Sequence, residues 1–302
     1  MPIAIQKIGP NTSAACDERL VSNAGVIILK DGIVLIDAGM RPDIARLLRH
    51  QLEGEFGRQV RYLCLTHYHA DHSFSLKAFK DTTILAAAQV LTNLQQSPDW
   101  TGQNLAAMKQ RDPSGGEWID EIEFVLPSLL FHGQLDLLDP ANSIEFHHSG
   151  GHTSCSVYAY LPQEKVLFAG DLIFSGMLPY AGDPTCDPER WMAILRTWLK
   201  MDIDHVVPGH GPLGTLDLVR EQLAFFEALK SNTLAAIAAG NAPMDISIPA
   251  PFDGDKKGQA FAEKTFNHWF AYYSQQKEPS GQVLSPEPGA SDRRLPIRRS
   301  IP

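Results

Sequence analysis

The stretch Thr66-His67-Tyr68-His69-Ala70-Asp71-His72 follows directly on an apolar run, Val60-Arg61-Tyr62-Leu63-Cys64-Leu65. Three histidines and an aspartate within six positions, at the end of a strand that reads as buried, leave the chain few ways to fold. Imidazole and carboxylate are costly to bury unless something binds them. Both are good ligands for a borderline divalent metal such as zinc. A purely structural zinc site would be richer in cysteine and would have no use for carboxylates. The cluster therefore points to a metal that takes part in chemistry.

The spacing refines this reading. His67 and His69 are two apart, and in an extended segment their side chains point the same way, so both can grip one metal. A turn into a helix after His69 would aim Asp71 and His72 elsewhere, toward a second metal about 3.5–4 Å away. Four further strand-like runs close on a histidine or aspartate beside glycine. They are Val34-Leu35-Ile36-Asp37-Ala38-Gly39, Gly150-Gly151-His152-Thr153, Phe168-Ala169-Gly170-Asp171 and Val206-Val207-Pro208-Gly209-His210-Gly211. Singly, each is ordinary turn chemistry. Five such endings in one chain are not.

The rest of the sequence supplies the scaffold. Gly25–Leu29 and Ile33–Ile36 are strand runs joined by the turn signal Lys30-Asp31-Gly32. Residues 43–56 carry a helical apolar face of Ile44, Leu47, Leu48 and Leu52, closed by Gly57. A short helix is expected over 73–79 and a strand over 82–86. Residues 95–120 show no clean period and read as a long excursion, which in a compact domain is more often functional than idle. Short strands are expected near 122–126, 128–132, 143–148, 156–160 and 166–169, helices over 190–199, 214–239 and 256–276, and a short buried strand over 205–207. Strand-rich and helical blocks appear twice, which suits two packed sheets with helices outside. The expected organisation is one domain over 1–277, with a disordered tail at 278–302 rich in Pro, Ser, Gly and Arg.

Composition narrows the partners. With 26 Lys+Arg against 35 Asp+Glu the net charge is −9, a poor match for nucleic acid or anionic lipid. No apolar run spans a bilayer and no leader-like segment opens the chain, so a cytoplasmic protein with no membrane partner is expected. Cys16, Cys64, Cys155 and Cys186 are scattered and read as reduced thiols.

Taken in order, the motifs from Asp37 to His210 resemble those of the metallo-β-lactamase-fold hydrolases. The resemblance implies an α/β architecture, a four-layer αββα sandwich, with extra helices at the C-terminal end. It implies a dinuclear site at one edge of the two sheets, with His67, His69 and His152 on one metal and Asp71, His72 and His210 on the other. Asp171 would bridge both, and Asp37 would orient the ligands. Two zinc ions per chain are implied, with iron or manganese as other occupants. Two motifs depart from the family's habit: Ser73-Phe74 stands where many members have Gly-Gly, and Ser154-Cys155 where many have Pro-Gly.

Two cations sharing a water would acidify it for attack, with Asp71 steering its proton and Asp171 and Asp71 offsetting the metal charge. True β-lactamases of this fold generally lack an aspartate at the position of Asp171, so the resemblance favours the broader hydrolase group. The segment Asp171–Trp191, which opens with Leu172 through Tyr180, together with Tyr68, Phe74 and either Trp100 or Trp118, is expected to wall a partly apolar pocket. The resulting expectation is hydrolysis of a small acyl substrate: ester, lactone, thioester, amide or β-lactam. The alternatives are a mononuclear iron oxidoreductase resembling the persulfide dioxygenases and a phosphodiesterase. Seven intact ligands favour two metals over one iron.

Overall fold

The computed structural model describes residues 1–140, 142–252 and 259–276; the tail expected at 278–302 lies outside the described residues. In chain order the elements are β1 (Ile5–Lys7), β2 (Thr12–Ala15), β3 (Ala24–Leu29), β4 (Gly32–Ile36), α1 (Pro42–Phe56), β5 (Val60–Cys64) and α2 (Ala70–Ser73). Next come β6 (Thr83–Ala87), α3 (Val90–Gln96), α4 (Gly102–Arg111), β7 (Leu129–Phe131), β8 (Gln134–Leu138), β9 (Ser143–His148) and β10 (Val157–Leu161). The last are β11 (Val166–Phe174), α5 (Pro188–Trp198), β12 (His205–His210), α6 (Leu216–Ala239) and α7 (Gln259–Gln275).

Among the described residues the strands form a seven-stranded sheet, β1 to β7 in chain order, and a five-stranded sheet, β12-β11-β10-β9-β8. Alternation along single strands builds the layers. Ile33 and Leu35 of β4 face outward onto Ile44, Leu48 and Leu52 of α1. Val34 and Ile36 face inward, onto Phe146, Phe168 and Val207 of the second sheet. On β11 the same rule sends Val166 and Phe168 into the seam between the sheets, and Leu167 and Ala169 outward beneath Trp191, Trp198, Phe226 and Trp269 of α5, α6 and α7. The result is the expected αββα sandwich with α6 and α7 as the extra C-terminal helices. Each fully buried aliphatic or aromatic side chain contributes roughly 1.5–3 kcal/mol to holding these layers together.

Helix ends follow their local chemistry. Pro42 opens α1 and Gly57, at φ 61°, closes it. The Asp187 carboxylate accepts from the Arg190 N–H at the start of α5, and Thr215 caps α6. The turn after β3 pairs Leu29 with Gly32, as the Lys30-Asp31 signal requires.

Three expectations are corrected. The 95–120 excursion is largely helical: α4 occupies its middle, with short 3-10 turns at Pro98–Trp100 and Glu117–Glu121. No residue of α4 is buried, so no apolar period marked it. Residues 122–126 form no strand. Finally, β11 does not end at Ala169 but runs to Phe174, with its pairing to β12 broken on either side of Gly170.

β4 and β5 run parallel, as do β11 and β12. Asn23 ties the two sheets: its N–H donates to Gly209 O at 2.7 Å and its amide donates to Pro208 O and Gly211 O. The carboxyl ends of these four strands thus open on one edge of the sandwich.

Candidate metal centre

That edge gathers every histidine and aspartate singled out in the sequence. His67 and His69 leave the end of β5 in extended backbone, and the chain then turns into α2, which carries Asp71 and His72. His152 sits on the loop between β9 and β10, Asp171 at the irregularity of β11, and His210 at the end of β12. The side chains fall into two groups able to hold a cation: His67, His69, His152 and Asp171, then Asp71, His72, Asp171 and His210.

In the first group His67 Nε2 and His152 Nε2 lie 3.0 and 3.1 Å from His69 Nδ1, and each lies 3.7 Å from Asp171 Oδ2. In the second, His72 Nε2 is 3.1 Å and His210 Nε2 3.4 Å from Asp171 Oδ1, and His210 Nε2 is 3.0 Å from Asp71 Oδ2. A tetrahedral ion with ligand bonds of about 2.0–2.1 Å needs ligand atoms about 3.4 Å apart. The contacts given above, 3.0–3.7 Å, bracket that spacing, and all ligand atoms of each group lie within 4.8 Å of one another. Asp171 gives one oxygen to each.

The outer nitrogens explain why the inner ones are free. His72 Nδ1 donates to Asp37 Oδ2 at 2.8 Å, His69 Nε2 to Asp183 Oδ2 at 2.8 Å, His152 Nδ1 to Tyr180 O at 3.0 Å, and His210 Nδ1 to Val21 O at 3.1 Å. His67 Nδ1 lies 3.0 Å from Thr66 Oγ1, which itself donates to Asp37 Oδ2 at 2.7 Å. Carboxylates and carbonyls only accept, so each of these rings carries its proton outward and turns a lone pair inward. In the first group, lone pairs that converge at hydrogen-bond distance with no proton between them repel one another unless a cation sits there. His72 Nε2 and Asp171 Oδ1, both buried, complete no hydrogen bond within the protein. The donor set fits divalent cations.

The electrostatics of the two groups differ. Burial, reinforced by the neighbouring imidazole of His72, pushes His67 well below the ordinary histidine range, and burial with His69 pushes His152 down to about 4. Burial opposes charge on His72 and His210 as well, but carboxylates outweigh it there. Asp171, Asp37 and Asp71 hold His72 well above its ordinary value, and Asp171 and Asp71 lift His210 to about 10. In return, against burial, His210 and His72 hold Asp171 well below the carboxylate range, and His72 and His210 hold Asp71 near 2. The metal-free second group is balanced by protons that a metal would displace.

Asp37 is 1 % exposed. It accepts from Thr66 N at 2.8 Å as well as from Thr66 Oγ1 and His72, and so braces ligands of both groups. Its backbone is left-handed at φ 58°. Gly209 is required by close approach: a β-carbon there would overlap Asp171 Oδ1.

Sequence reasoning missed the other orienting groups. Asp183 accepts from Tyr68 Oη and His69 through Oδ2, and from Thr185 N (2.7 Å) and Oγ1 (2.6 Å) through Oδ1. In sequence it is only a turn aspartate before proline. The Tyr180 and Val21 carbonyls leave no signal at all. The unusual residues of both motifs take local roles. The Ser73 hydroxyl bridges Tyr68 O and His69 O, Ser154 Oγ donates to Asn93 Oδ1, and Cys155 is core, its thiol pushed by burial up to about 12. All four cysteines are free thiols.

A cleft of about 1150 Å³ opens over the ligands. Tyr68, Phe174, Met177, Leu178 and Tyr180 line it, as expected of the segment after Asp171. Phe74 does not; it is fully buried and packs edge-on against Trp100, 4.7 Å between centroids. Trp118 lies under Arg41 instead.

Residues 17–210 match the model of the metallo-beta-lactamase superfamily, a span that contains every one of these ligands. The chain belongs to that superfamily. Curated relatives include a metallo-beta-lactamase type 2 of Bacillus sp. (strain 170), 25 % identical over 213 residues that cover 67 % of this chain and 74 % of that protein. A linear primary-alkylsulfatase of Pseudomonas sp. (strain ATCC 19151) is 23 % identical over 222 residues, covering 64 % of this chain and 42 % of that one. Among solved structures, a stereoselective inverting sec-alkylsulfatase from Pseudomonas sp. superposes with a TM-score of 0.69 at 16 % identity, over 95 % of this chain and 52 % of that one. The superfamily implies divalent metal binding, which the two ligand groups suit. No helix among the described residues is long and apolar enough to cross a membrane.

Proposed function

We propose that this chain is a dinuclear metal-dependent hydrolase, loaded with zinc, that cleaves a small acyl substrate such as an ester, lactone, thioester or amide. The observation that carries the reading is Asp171, whose two oxygens face the two ligand groups separately. His67, His69 and His152 would hold one ion, Asp71, His72 and His210 the other, and Asp171 would bridge. Bound there, two divalent cations would make water acidic near neutral pH and offset charge developing on the substrate oxygen.

The chain's own groups do the rest. Asp171 and Asp71 supply negative charge against the cations, and the outward protons of five histidines keep five lone pairs aimed inward. The Asp71 side chain, 24 % exposed and lining the cleft, is placed to hold the proton of the attacking water. Asp37 acts as a positioning residue through Thr66 and His72. Phe174, Leu178 and Tyr180 exclude bulk water from the inner cleft and present an apolar wall to the substrate.

A second reading, cleavage of an alkyl sulfate ester, has the alkylsulfatase relative in its favour and was not among the bonds expected from sequence. Metal analysis of the purified protein, followed by a panel of lactones, aryl esters, thioesters, β-lactams, alkyl sulfates and phosphodiesters, tests both. About two zinc per chain with metal-dependent acyl turnover is the expected result. Turnover of the sulfate or phosphodiester alone would replace the acyl reading, and one iron with oxygen uptake would overturn hydrolysis altogether.

A further inference from the structure

α7 lies beyond the residues that match the superfamily, yet it forms part of the cleft wall through Phe261 and Lys264. Lys264 is the one lysine or arginine lining the cleft among the described residues, and it has no hydrogen-bond or ion-pair partner. Of the four aspartates lining the same cleft, Asp71 and Asp171 belong to the ligand groups and Asp183 is bonded to Tyr68, His69 and Thr185. Asp99 is the fourth, and it is not paired with Lys264 either.

The backbone under Lys264 is fixed to the site. A β-carbon on Gly182 would lie 2.6 Å from the Lys264 carbonyl carbon and Cβ, so this loop glycine and α7 are in direct contact. Ala181 N donates to Thr265 Oγ1 at 3.1 Å, and His268 Nε2 donates to Cys186 O at 2.8 Å. The loop so clamped carries Tyr180 and Asp183, which orient His152 and His69. Outward from the ligands the wall is continuous. The Tyr180 ring lies 5.9 Å from His69, and Phe261 packs edge-on against Tyr180 at 5.4 Å. Lys264 follows Phe261 on the same helical face. Among the described residues, Met177 and Phe261, 39 % and 54 % exposed, leave apolar surface at the mouth.

We infer that Lys264 is a specificity-determining residue that selects substrates bearing an anionic group remote from the bond cleaved. This rests on the hydrolase reading above. The substrate class is an amphiphilic acyl compound. Its scissile carbonyl sits at the ligand groups, its apolar body lies along Tyr180, Phe261 and Met177, and a carboxylate or similar anion at its far end meets the ammonium. An unpaired cation beside exposed apolar side chains, held in place by a clamped helix, recognises that combination better than it recognises a neutral chain.

The test uses the full chain and a matched pair: the p-nitrophenyl monoester of suberic acid and its methyl-capped neutral counterpart. The wild-type KM should be roughly fivefold lower for the free acid, the scale of a half-exposed ion pair, with kcat alike and the ratio shrinking as salt is raised. Lys264→Ala should remove the preference, Lys264→Glu should invert it and Lys264→Arg should keep it. Asp99→Asn should strengthen it. Calorimetry on chelator-treated protein, with monomethyl suberate against dimethyl suberate, reads the same preference without catalysis. Equal binding of the two by wild type, or a preference that survives Lys264→Ala, overturns the role of Lys264. If neither ester is turned over while the binding preference appears and depends on Lys264, the anion site stands and the acyl-hydrolase reading falls.

Discussion

Replacing Asp37 by asparagine isolates the contribution of a single proton. Asparagine matches the volume of aspartate and tolerates its left-handed backbone, so the fold should be kept. The amide oxygen can still accept from Thr66 N. The amide nitrogen must then face Thr66 Oγ1 and His72 Nδ1, which now stand 2.7 and 2.8 Å from a carboxylate oxygen. The hydroxyl can rotate and accept, but His72 cannot keep its proton on Nδ1 against an N–H. The proton moves to Nε2, the atom 3.1 Å from Asp171 Oδ1 that should offer its lone pair to the second ion. Loss of such an orienting partner typically costs 10–100-fold in metal affinity, about 1.4–2.7 kcal/mol. The metal-free protein should lose about 1–3 kcal/mol of stability from one mismatched buried bond. Competition of the stripped variant against a chromogenic chelator reads the number and strength of the sites, and thermal unfolding with and without metal separates the two effects. The expected outcome is one site near wild-type strength and one weakened. Two sites of undiminished affinity would refute the assignment of the proton to Nδ1 and with it the orienting role of Asp37.

Stability of the stripped protein should peak near the ordinary histidine range and fall on both sides, as read by scanning calorimetry with chelator from pH 4 to 10. Below pH 6.5 the unfolded chain gains protons that buried His67 and His152, the latter held down to about 4, refuse, so stability drops as pH falls; above it, stability supplied by protonated His72 and His210, the latter lifted to about 10, is lost as pH rises. A monotonic profile would contradict these assignments. Val21 holds φ 75°, ψ −45°, a strained region for a β-branched residue, while its carbonyl accepts from His210. Val21→Gly should therefore raise stability by up to about 2 kcal/mol, after the entropic cost of glycine, with turnover retained; a loss of stability would show that the turn is not strained. Gly182→Val should lower stability by about 1–3 kcal/mol and raise KM for anionic substrates by displacing α7, and an unchanged KM would separate the helix from the cleft.

Much of this site was legible because its ligands come from strand ends, where an apolar run followed by His or Asp has no packing explanation. Residues 34–37, 60–72 and 206–210 all read that way, and the structure brings them to one edge. The orienting shell was illegible because its chemistry imitates loops. Asp183 bonds forward to Thr185 as any turn aspartate does, and its bond to His69 spans 114 positions. Carbonyls of Tyr180 and Val21 are the same atom in every residue. The scaffold failed to show through where burial was weak. α4 buries nothing and so lacks a period, and β8 alternates between exposed and half-buried positions at the edge of its sheet. Phe124 and Leu126 looked like strand because they are apolar, yet they are 44 % and 48 % exposed and lie in irregular chain. Phe74 was placed in the pocket by its position beside the histidines, but α2 rotates it into the core against Trp100.

The origin of the ligands has a mechanical consequence. His67, His69, Asp71 and His72 belong to one sheet's side of the sandwich, and His152, Asp171 and His210 to the other's. An ion held by both is a rivet through the seam. Any excursion that slides or parts the sheets dismantles both sites in the same event, because Asp171 is common to them. Were two ions held there, their release should follow a breathing motion of the whole sandwich more closely than the fraying of a loop. The rate at which a chelator in large excess strips the loaded protein should accordingly track the rate of global unfolding as denaturant is added.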